Sequence, residues 1–425
     1  METIAKTNTK EGFLSNFIPQ EFPQGLLKTK AEAENTLRQI DFPTTRDEQW
    51  KYTRISKILK NKYTQLPAKV KQETKFWKVE NAHLFVFVNG FFSSELSNIG
   101  KETGAIIKPL SLARKENSEI LEKHFGKIAN HKKEIFTALN TVYHTNGAFV
   151  FINENVQLQK PIHILNIAAS ENAAFNPRNL IILGKNSSAN IISSYETLAG
   201  NSFANVVSEV FLNENAHLTF HILQNENDSC FQINTTQASL QSNSRADFFT
   251  MTTGGNIVRN NLNISLDGEH CETHLHGLYL GKSEQHFDNH TLVEHKKPNS
   301  FSNELYKGIM NGKSSGVFNG KVFVFKDAQK TNAYQSNQNI LLSNDASVDS
   351  KPELEIYADD VKCSHGSTTG QLDDEAIFYL RSRGISEEKA KQLLIRAFAE
   401  DVVNKISSVT IKNYVEELVQ KNLSE

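Results

Sequence analysis

The chain has 425 residues, with 46 Lys and Arg against 48 Asp and Glu, which gives a formal net charge of −2. That balance supplies no basic field for a phosphate backbone and excludes nucleic acid as the expected partner. Three scattered cysteines argue against a disulfide framework, and the most apolar short stretch, residues 84–92, is far too short to cross a bilayer. We therefore expect a cytoplasmic protein with no membrane partner.

The N-terminal residues 1–75 are predicted to be helical and charged, and residues 31–40 carry strong helix formers. A Pro-led turn with capping threonines follows, and then a second amphipathic stretch that contains Trp50 and Tyr52, which we interpret as packing residues. From residue 76 to about residue 145 the pattern is mixed, with a helix predicted around residues 114–140.

Turn-forming segments recur every 25–29 residues in the middle of the chain, at residues 185–190, 213–217, 242–246 and 267–270. Each precedes a segment in which apolar and polar residues alternate, and a second strand-like segment lies before the next turn. Two strands and two turns per repeat, with Asn at corners that need left-handed backbone, favour a right-handed parallel β-helix. A large antiparallel sandwich or barrel has similar strand spacing, so the pattern alone leaves it open.

The C-terminal residues are predicted to form three helices. Asp373 is placed to cap a helix that stops at Gly384, and Ser386 opens a second helix with Leu394 and Phe398 among its regularly spaced apolar residues. A third amphipathic stretch begins at Val409. Such a module either docks another protein or caps the end of a solenoid, and the pattern does not choose between these roles.

Histidines crowd into residues 270–295, with Cys271 beside them. His274 and His276 are two residues apart, so in a strand they share a face and could bind zinc or iron. Alternating histidines on a strand more often face solvent or bond to backbone, and no CxxC or HExxH pattern accompanies these. A histidine-rich metal-binding protein is therefore an alternative hypothesis.

Cys363 and His365 form a C-x-H step, which places both side chains on one face of an extended segment. Asp359 and Asp360 precede them, and Gly366 permits a sharp bend. Two ligands are too few for a closed metal site. A complete site would need ligands from elsewhere in the chain or from another chain.

The segment KPELEIYADDVKCSHGSTTGQLDDEAIFYLRSRGIS, residues 351–386, resembles the signature of the SufB/SufD family of iron–sulfur cluster assembly proteins. Residues 290–331 and DEQWKYT at residues 47–53 are similar to other parts of that family. The chain resembles the SufD branch rather than the SufB branch. Asn337 stands where SufB-type chains carry a sulfur-accepting cysteine, and Gly366 stands where they carry a glutamate, so thiolate and carboxylate chemistry are both missing.

The resemblance implies a right-handed parallel β-helix flanked by helical domains. We divide the chain into an N-terminal helical region (residues 1–75), a β-helix core (residues 76–350) and an interface segment with a C-terminal helical domain (residues 351–425). The resemblance also implies a non-enzymatic scaffold subunit in a complex of one SufB, one SufD and two copies of the ATPase SufC. A homodimer in the absence of SufB is left open.

The same resemblance implies site residues. His365 matches the family histidine at the SufB–SufD interface, which helps to hold iron or a nascent iron–sulfur cluster, and Cys363 matches an adjacent cysteine and is the weaker candidate. The isolated chain is expected to bind no cofactor tightly. Residues 373–405 match the region that docks SufC, and the expected contact residues are Asp373, Asp374, Phe378, Arg381, Leu394 and Phe398.

A β-helix enzyme acting on polysaccharide is the alternative from another class, since that fold also hosts lyases and hydrolases. Such an enzyme needs acids and bases clustered in a cleft. Residues 185–350 carry mostly Asn, Ser and Thr at their polar positions, so we rank this alternative lower.

Overall fold

The computed structural model describes residues 10–424, and its helices lie towards the two ends of that range. After the helical residues 10–14, the α-helices are α1 (Leu27–Gln39), α2 (Ser56–Lys60), α3 (Leu110–Glu116), α4 (Ser118–His124), α5 (Ile135–Tyr143), α6 (Asp374–Ser382), α7 (Glu387–Val403) and α8 (Val409–Ser424). Every helix within residues 10–424 is too short or too polar to span a bilayer.

The helix predicted at residues 31–40 is confirmed within α1, and the three C-terminal helices are confirmed as α6, α7 and α8. The single helix predicted around residues 114–140 is wrong, because this segment forms α3, α4 and α5. Asn117 leaves the helical conformation, with φ −134°, between α3 and α4. Gly126 then takes a left-handed φ of 70°, which a helix does not tolerate.

The strands fill the centre of the chain. In chain order they are β1 (His83–Val88), β2 (Phe91–Phe92), β3 (Ala105–Pro109), β4 (Ala148–Ile152), β5 (Ile162–Ala168), β6 (Ala173–Phe175), β7 (Arg178–Leu183), β8 (Ser188–Thr197), β9 (Ser202–Leu212), β10 (His217–Asn225), β11 (Phe231–Leu240), β12 (Arg245–Thr252), β13 (Ile257–Leu266), β14 (Glu272–Gly281), β15 (His286–His295), β16 (Phe301–Met310), β17 (Ser315–Val324), β18 (Thr331–Leu341), β19 (Ser347–Ile356) and β20 (Val361–Gly370).

These strands form two sheets. Sheet I has the order β2-β1-β5-β8-β10-β12-β14-β16-β18-β20, and sheet II has the order β19-β17-β15-β13-β11-β9-β7-β4-β3. Apart from the antiparallel pairs β1–β2 and β3–β4, neighbouring strands are parallel. From β7 onwards successive strands alternate between the sheets, so the chain winds as a solenoid of about eight turns. The predicted parallel solenoid is confirmed, and the antiparallel sandwich or barrel is excluded.

A column of left-handed residues marks one corner of the solenoid. Asn186, Asn215 and Asn243 have φ of 56°, 58° and 59°, a conformation that Asn tolerates better than most residues. The backbone N–H of Asn186 donates to the carbonyl of Glu214 on the following turn, at 2.9 Å. The amide side chains also stack, since Asn186 donates to Asn155 and Asn215 donates to Asn186, each at 2.8 Å. The role predicted for Asn at corners is confirmed.

The apolar core occupies the inside of the solenoid, and helices cover parts of both outer faces. The N-terminal segments and α5 pack on the outer face of sheet II, where Trp50 is buried with the Arg259 guanidinium 3.8 Å from its ring centroid. This confirms Trp50 as a packing residue, whereas Tyr52 is 39% exposed, so its interpretation as a packing residue is wrong. Helices α7 and α8 pack on the outer face of sheet I through residues such as Ile395 and Val415.

Candidate functional site

The last turn of the solenoid is uncovered. Strands β19 and β20 end their sheets, and within residues 10–424 each has a sheet neighbour on one side only. Every residue of β20 from Ser364 to Gly370 is exposed. The free edge of a strand presents unpaired N–H and C=O groups and is a template for pairing with another chain. This end of the solenoid therefore has the properties of an interface.

Cys363 and His365 lie on this last turn, on the inward side of β20. Cys363 packs against the cluster that contains Ala333 and Val322, and Ser367 meets Ser350 across the interior at 2.8 Å between the two Oγ atoms. His365 lies between them in the alternation of the strand, so the prediction that Cys363 and His365 share a face is confirmed. His365 is exposed because no further turn covers it.

The thiol of Cys363 is not activated. Burial raises its pKa, although a hydrogen bond with the Ala333 backbone acts in the opposite direction. A thiol with a raised pKa carries less thiolate at neutral pH, and thiolate is the form that attacks sulfur or binds metal. Of the two residues of the C-x-H step, His365 is exposed and Cys363 is half-buried.

Asp359 and Asp360 form part of a corner. Both are exposed, and the backbone of Asp360 accepts from Lys330 N at 2.5 Å while its own N–H donates to the Gln329 side chain at 2.9 Å. Lys330 has a left-handed φ of 59° at this corner. The backbone hydrogen bonds assign Asp360 a structural role in the turn.

Asn337 is fully buried inside the solenoid. Its amide nitrogen donates to the Tyr279 hydroxyl and to the Tyr306 carbonyl, each at 3.2 Å. Its carbonyl oxygen accepts from Asn339 and from Ser350, each at 2.8 Å. The residue at this position is thus an amide held by four hydrogen bonds, and it offers no nucleophile.

Two buried polar residues lie in register with His365, and neither was predicted from the sequence. Gln335 pairs with His365, and Glu304 pairs with Gln335 on the turn before. Burial raises the pKa of Glu304 to about 7, with hydrogen bonds from Thr291 and Gln335 acting in the opposite direction. The alternation in β16, which points Ser302 and Tyr306 inward, was the available signal that Glu304 also points inward.

The histidines of residues 270–295 are separated by the solenoid. His274 and His276 lie together on the outer face of sheet I, with ring centroids 6.0 Å apart, so the face predicted for them is confirmed. His290 lies on the outer face of sheet II, and His295 is buried with Ser302 as its hydrogen-bond partner at 2.9 Å. Across residues 10–424, no group of three or more His, Cys, Asp or Glu side chains is arranged to hold a metal ion.

A groove of about 1300 Å³, not anticipated from the sequence, lies between the N-terminal segments and the outer face of sheet II. At its floor Arg259 pairs with Asp288 at 2.7 Å, and His290 lies 2.9 Å from the other Asp288 oxygen. Although burial acts to raise it, Arg259 and His290 hold the pKa of Asp288 below its usual range. Trp50 covers the guanidinium, so these charges satisfy one another and hold the N-terminal segments on the sheet.

Of the six predicted docking residues, the four on or next to α6 are exposed and the two on α7 are half-buried. Asp373 caps α6 by accepting from Glu375 N at 2.9 Å, which confirms the predicted cap, and Asp374 is exposed in the first turn. Phe378 is 74% exposed. Arg381 pairs with Glu387 on α7 at 3.2 Å and remains largely accessible.

The two candidate residues from α7 are both half-buried. Phe398 is half-buried beneath Lys307 Nζ, which lies 4.3 Å from its ring centroid and donates to its carbonyl at 3.0 Å. Leu394 is half-buried, whereas its neighbour Leu393 is 41% exposed. Phe398 thus anchors α7 on sheet I, and the exposed large apolar side chains of α6 and α7 are those of Phe378, Tyr379 and Leu393.

Comparison with known proteins shows two matching family models: "SUF system FeS cluster assembly, SufBD core domain" over residues 166–398, and "SufBD protein N-terminal region" over residues 14–164. A SufBD family iron–sulfur cluster assembly protein of Synechocystis sp. is 33% identical over 413 residues, which cover 93% of this chain and 90% of that protein. The SufD proteins of Escherichia coli and Bacillus subtilis are 28% and 29% identical and cover 91% and 77% of this chain, or 92% and 76% of their own lengths. The family resemblance is confirmed. The chain belongs to the SufBD family of iron–sulfur cluster assembly proteins.

Proposed function

We propose that this chain is a SufD-type scaffold subunit with no catalytic activity of its own, on which iron–sulfur clusters are assembled together with partner chains. Similarity to two SufD proteins supports this role, as does Asn337 at the position of the SufB-type cysteine. The observation that carries the proposal is the uncovered last turn of the solenoid, where β19 and β20 have free edges and His365 is exposed.

The proposed partner at this end is a SufB-type chain. A parallel solenoid that ends in two unpaired strands is prone to association unless a partner or a cap covers those edges. Helices α7 and α8 do not cap the end, since they pack on the outer face of sheet I. A second strand-bearing chain would extend the sheets and cover His365 in the same step.

His365 is proposed to bind iron or the nascent cluster, which is the cargo of the assembly. A neutral imidazole binds iron alongside thiolates, as in clusters with mixed histidine and cysteine ligands. This chain contributes one exposed ligand, His365, and the half-buried thiol of Cys363, whose pKa is raised. The remaining ligands therefore come from the partner chain. A site divided between two chains explains the incomplete ligand set read from the sequence.

A SufC-type ATPase is proposed to dock on α6 and the first half of α7. Helix α6 buries only Ile377, while Phe378 and Tyr379 are 74% and 58% exposed. Leu393 adds a third exposed apolar side chain. Exposed aromatic residues gathered on one short helix are typical of a helix that binds a partner.

The proposed pairing with a SufB-type chain is tested with the variant Gly366→Phe. A Cβ built at Gly366 meets no atom within 4 Å, so the isolated chain accommodates a large side chain there. We expect an unchanged melting temperature and loss of co-purification with a co-expressed SufB-type chain, because a bulky ring beside the free edge of β20 would clash with a chain paired to that strand. The matched control is Gly12→Phe, at another glycine with open space around it. Retention of the complex by Gly366→Phe would place the interface elsewhere.

A further inference from the structure

Three residues stack in one inward column at the open end of the solenoid. Glu304 in β16, Gln335 in β18 and His365 in β20 are paired in register on successive turns of sheet I. Glu304 and Gln335 are 1% and 3% exposed. Glu304 Oε2 accepts from Thr291 Oγ1 at 2.7 Å and from Gln335 Nε2 at 3.2 Å. The carboxyl group therefore fixes the direction of the Gln335 amide.

The carbonyl oxygen of Gln335 is buried and has no hydrogen-bond partner among residues 10–424. Buried acceptors are rarely left unpaired, because they lose water without gaining a donor. The corner ladder of this solenoid shows how such a stack continues: Asn186 donates to Asn155 on the preceding turn and accepts from Asn215 on the following turn. In the same direction, the amide nitrogen of Gln335 donates to Glu304 on the preceding turn. The carbonyl oxygen of Gln335 is therefore left to accept from a donor on the following turn.

His365 is the residue in register on that following turn, and its ring carries an N–H in either neutral tautomer. The inward neighbour Ser367 is already bonded to Ser350, and Cys363 packs in an apolar cluster. The imidazole is thus the donor best placed to reach the Gln335 oxygen.

We propose that Gln335 is a positioning residue for His365, and that Glu304 acts through Gln335. One ring N–H of His365 donates to Gln335 Oε1, which fixes the tautomer and the orientation of the ring. The other ring nitrogen is then left as the ligand that faces the partner chain. Metal-binding histidines generally have their second nitrogen held by a carbonyl or carboxylate in this way. This inference rests on the proposed role of His365 as a ligand.

The first test uses the full chain labelled with ¹⁵N at histidine, with the His365 signals identified by their loss in His365→Ala. At pH 8.5 we expect the wild-type ring nitrogens to report one tautomer, with an N–H protected from exchange with water. In Gln335→Met, which keeps the length of the side chain but removes the acceptor, we expect a mixture of tautomers and loss of that protection. The matched control Gln338→Met changes the same residue type on the outer side of β18 and should leave His365 as in the wild type.

A second pair of variants keeps the test decisive if Gln335→Met alters the fold. Glu304→Gln retains an acceptor for the Gln335 amide and should preserve the His365 tautomer, whereas Glu304→Leu should lose it. The proposal is overturned if His365 shows the same tautomer and the same exchange in the wild type, Gln335→Met and Glu304→Leu.

In the complex with SufB-type and SufC-type chains, Gln335→Met should lower the bound iron and sulfide by roughly tenfold, the usual effect of removing a residue that orients a metal ligand. Gln338→Met should have no effect. The ring-nitrogen measurement needs neither partner nor metal, so it decides the positioning of His365 even if His365 is shown to have no role in cluster assembly.

Discussion

Glu304 is a buried acid in the interior of the solenoid. It makes hydrogen bonds with Thr291 and Gln335, yet its second oxygen has no partner in the described chain. Burial disfavours the ionised form, and the pKa is raised to about 7 from an ordinary value of 4.5. At the residue scale, this carboxyl group links the stability of the open end to pH.

The predicted consequence is a stability difference between the wild type and Glu304→Gln that changes with pH. Because the pKa in the folded state lies above that in the unfolded state, the contribution of Glu304 is fully present below about pH 4.5 and is lost as the pH rises to about 7. Over that range the free energy of unfolding of the wild type should fall by roughly 3 kcal/mol relative to the variant. Urea denaturation at a series of pH values measures this difference, and parallel pH profiles for the two proteins would contradict it.

Strand β20 and helix α6 carry the two proposed binding surfaces, one for a SufB-type chain and one for a SufC-type ATPase. Strand β20 ends at Gly370 and α6 begins at Asp374, so only a short link separates the strand that carries His365 from the helix that carries Phe378. Helix α7 is held at its C-terminal half, where Lys307 Nζ contacts Asp401 at 2.6 Å and Ile395 and Ala399 are buried. Helix α6 buries only Ile377, which leaves its surface available to a partner.

Phe378→Ser should weaken binding of a SufC-type ATPase by tenfold or more, since aromatic residues commonly supply more than 1 kcal/mol at interfaces. Val409→Ser is the matched control, because Val409 is 71% exposed on α8 and Phe378 is 74% exposed on α6. Both variants should keep the wild-type melting temperature, as neither side chain is packed. Isothermal titration with the ATPase measures the affinities, and equal effects of the two substitutions would argue against docking on α6.

The sequence predicted the elements whose signals are local. Corner asparagines such as Asn215 reveal the repeat, because the left-handed backbone restricts the residue type, and Asp373 marks the start of α6 through its capping hydrogen bond. The family signature identified the segment that carries His365. The division of the helix predicted around residues 114–140 into short helices such as α3 and α4 was missed, because packing against the first strands of sheet II, rather than helical periodicity, stabilises them.

Contacts between turns could not be predicted in the same way. Paired residues lie 27 positions apart at Arg245 and Glu272 but 31 apart at Glu304 and Gln335, since the corners differ in length. A fixed period therefore does not align Glu304 with Gln335 and His365. The same winding separates His276 and His290 onto different sheets although they are close in the sequence.

For the whole molecule, we propose that His365 at the open end of the solenoid is a ligand in cluster assembly. The direct measurement compares the wild type, His365→Ala and Ser364→Ala, each reconstituted with SufB-type and SufC-type chains, and determines bound iron and sulfide after size-exclusion chromatography. Ser364 is the matched control, because it is exposed on the same strand and faces outward. All three should form the complex, with clusters in the wild type and Ser364→Ala and none in His365→Ala. A normal cluster content in the His365→Ala complex would contradict the claim.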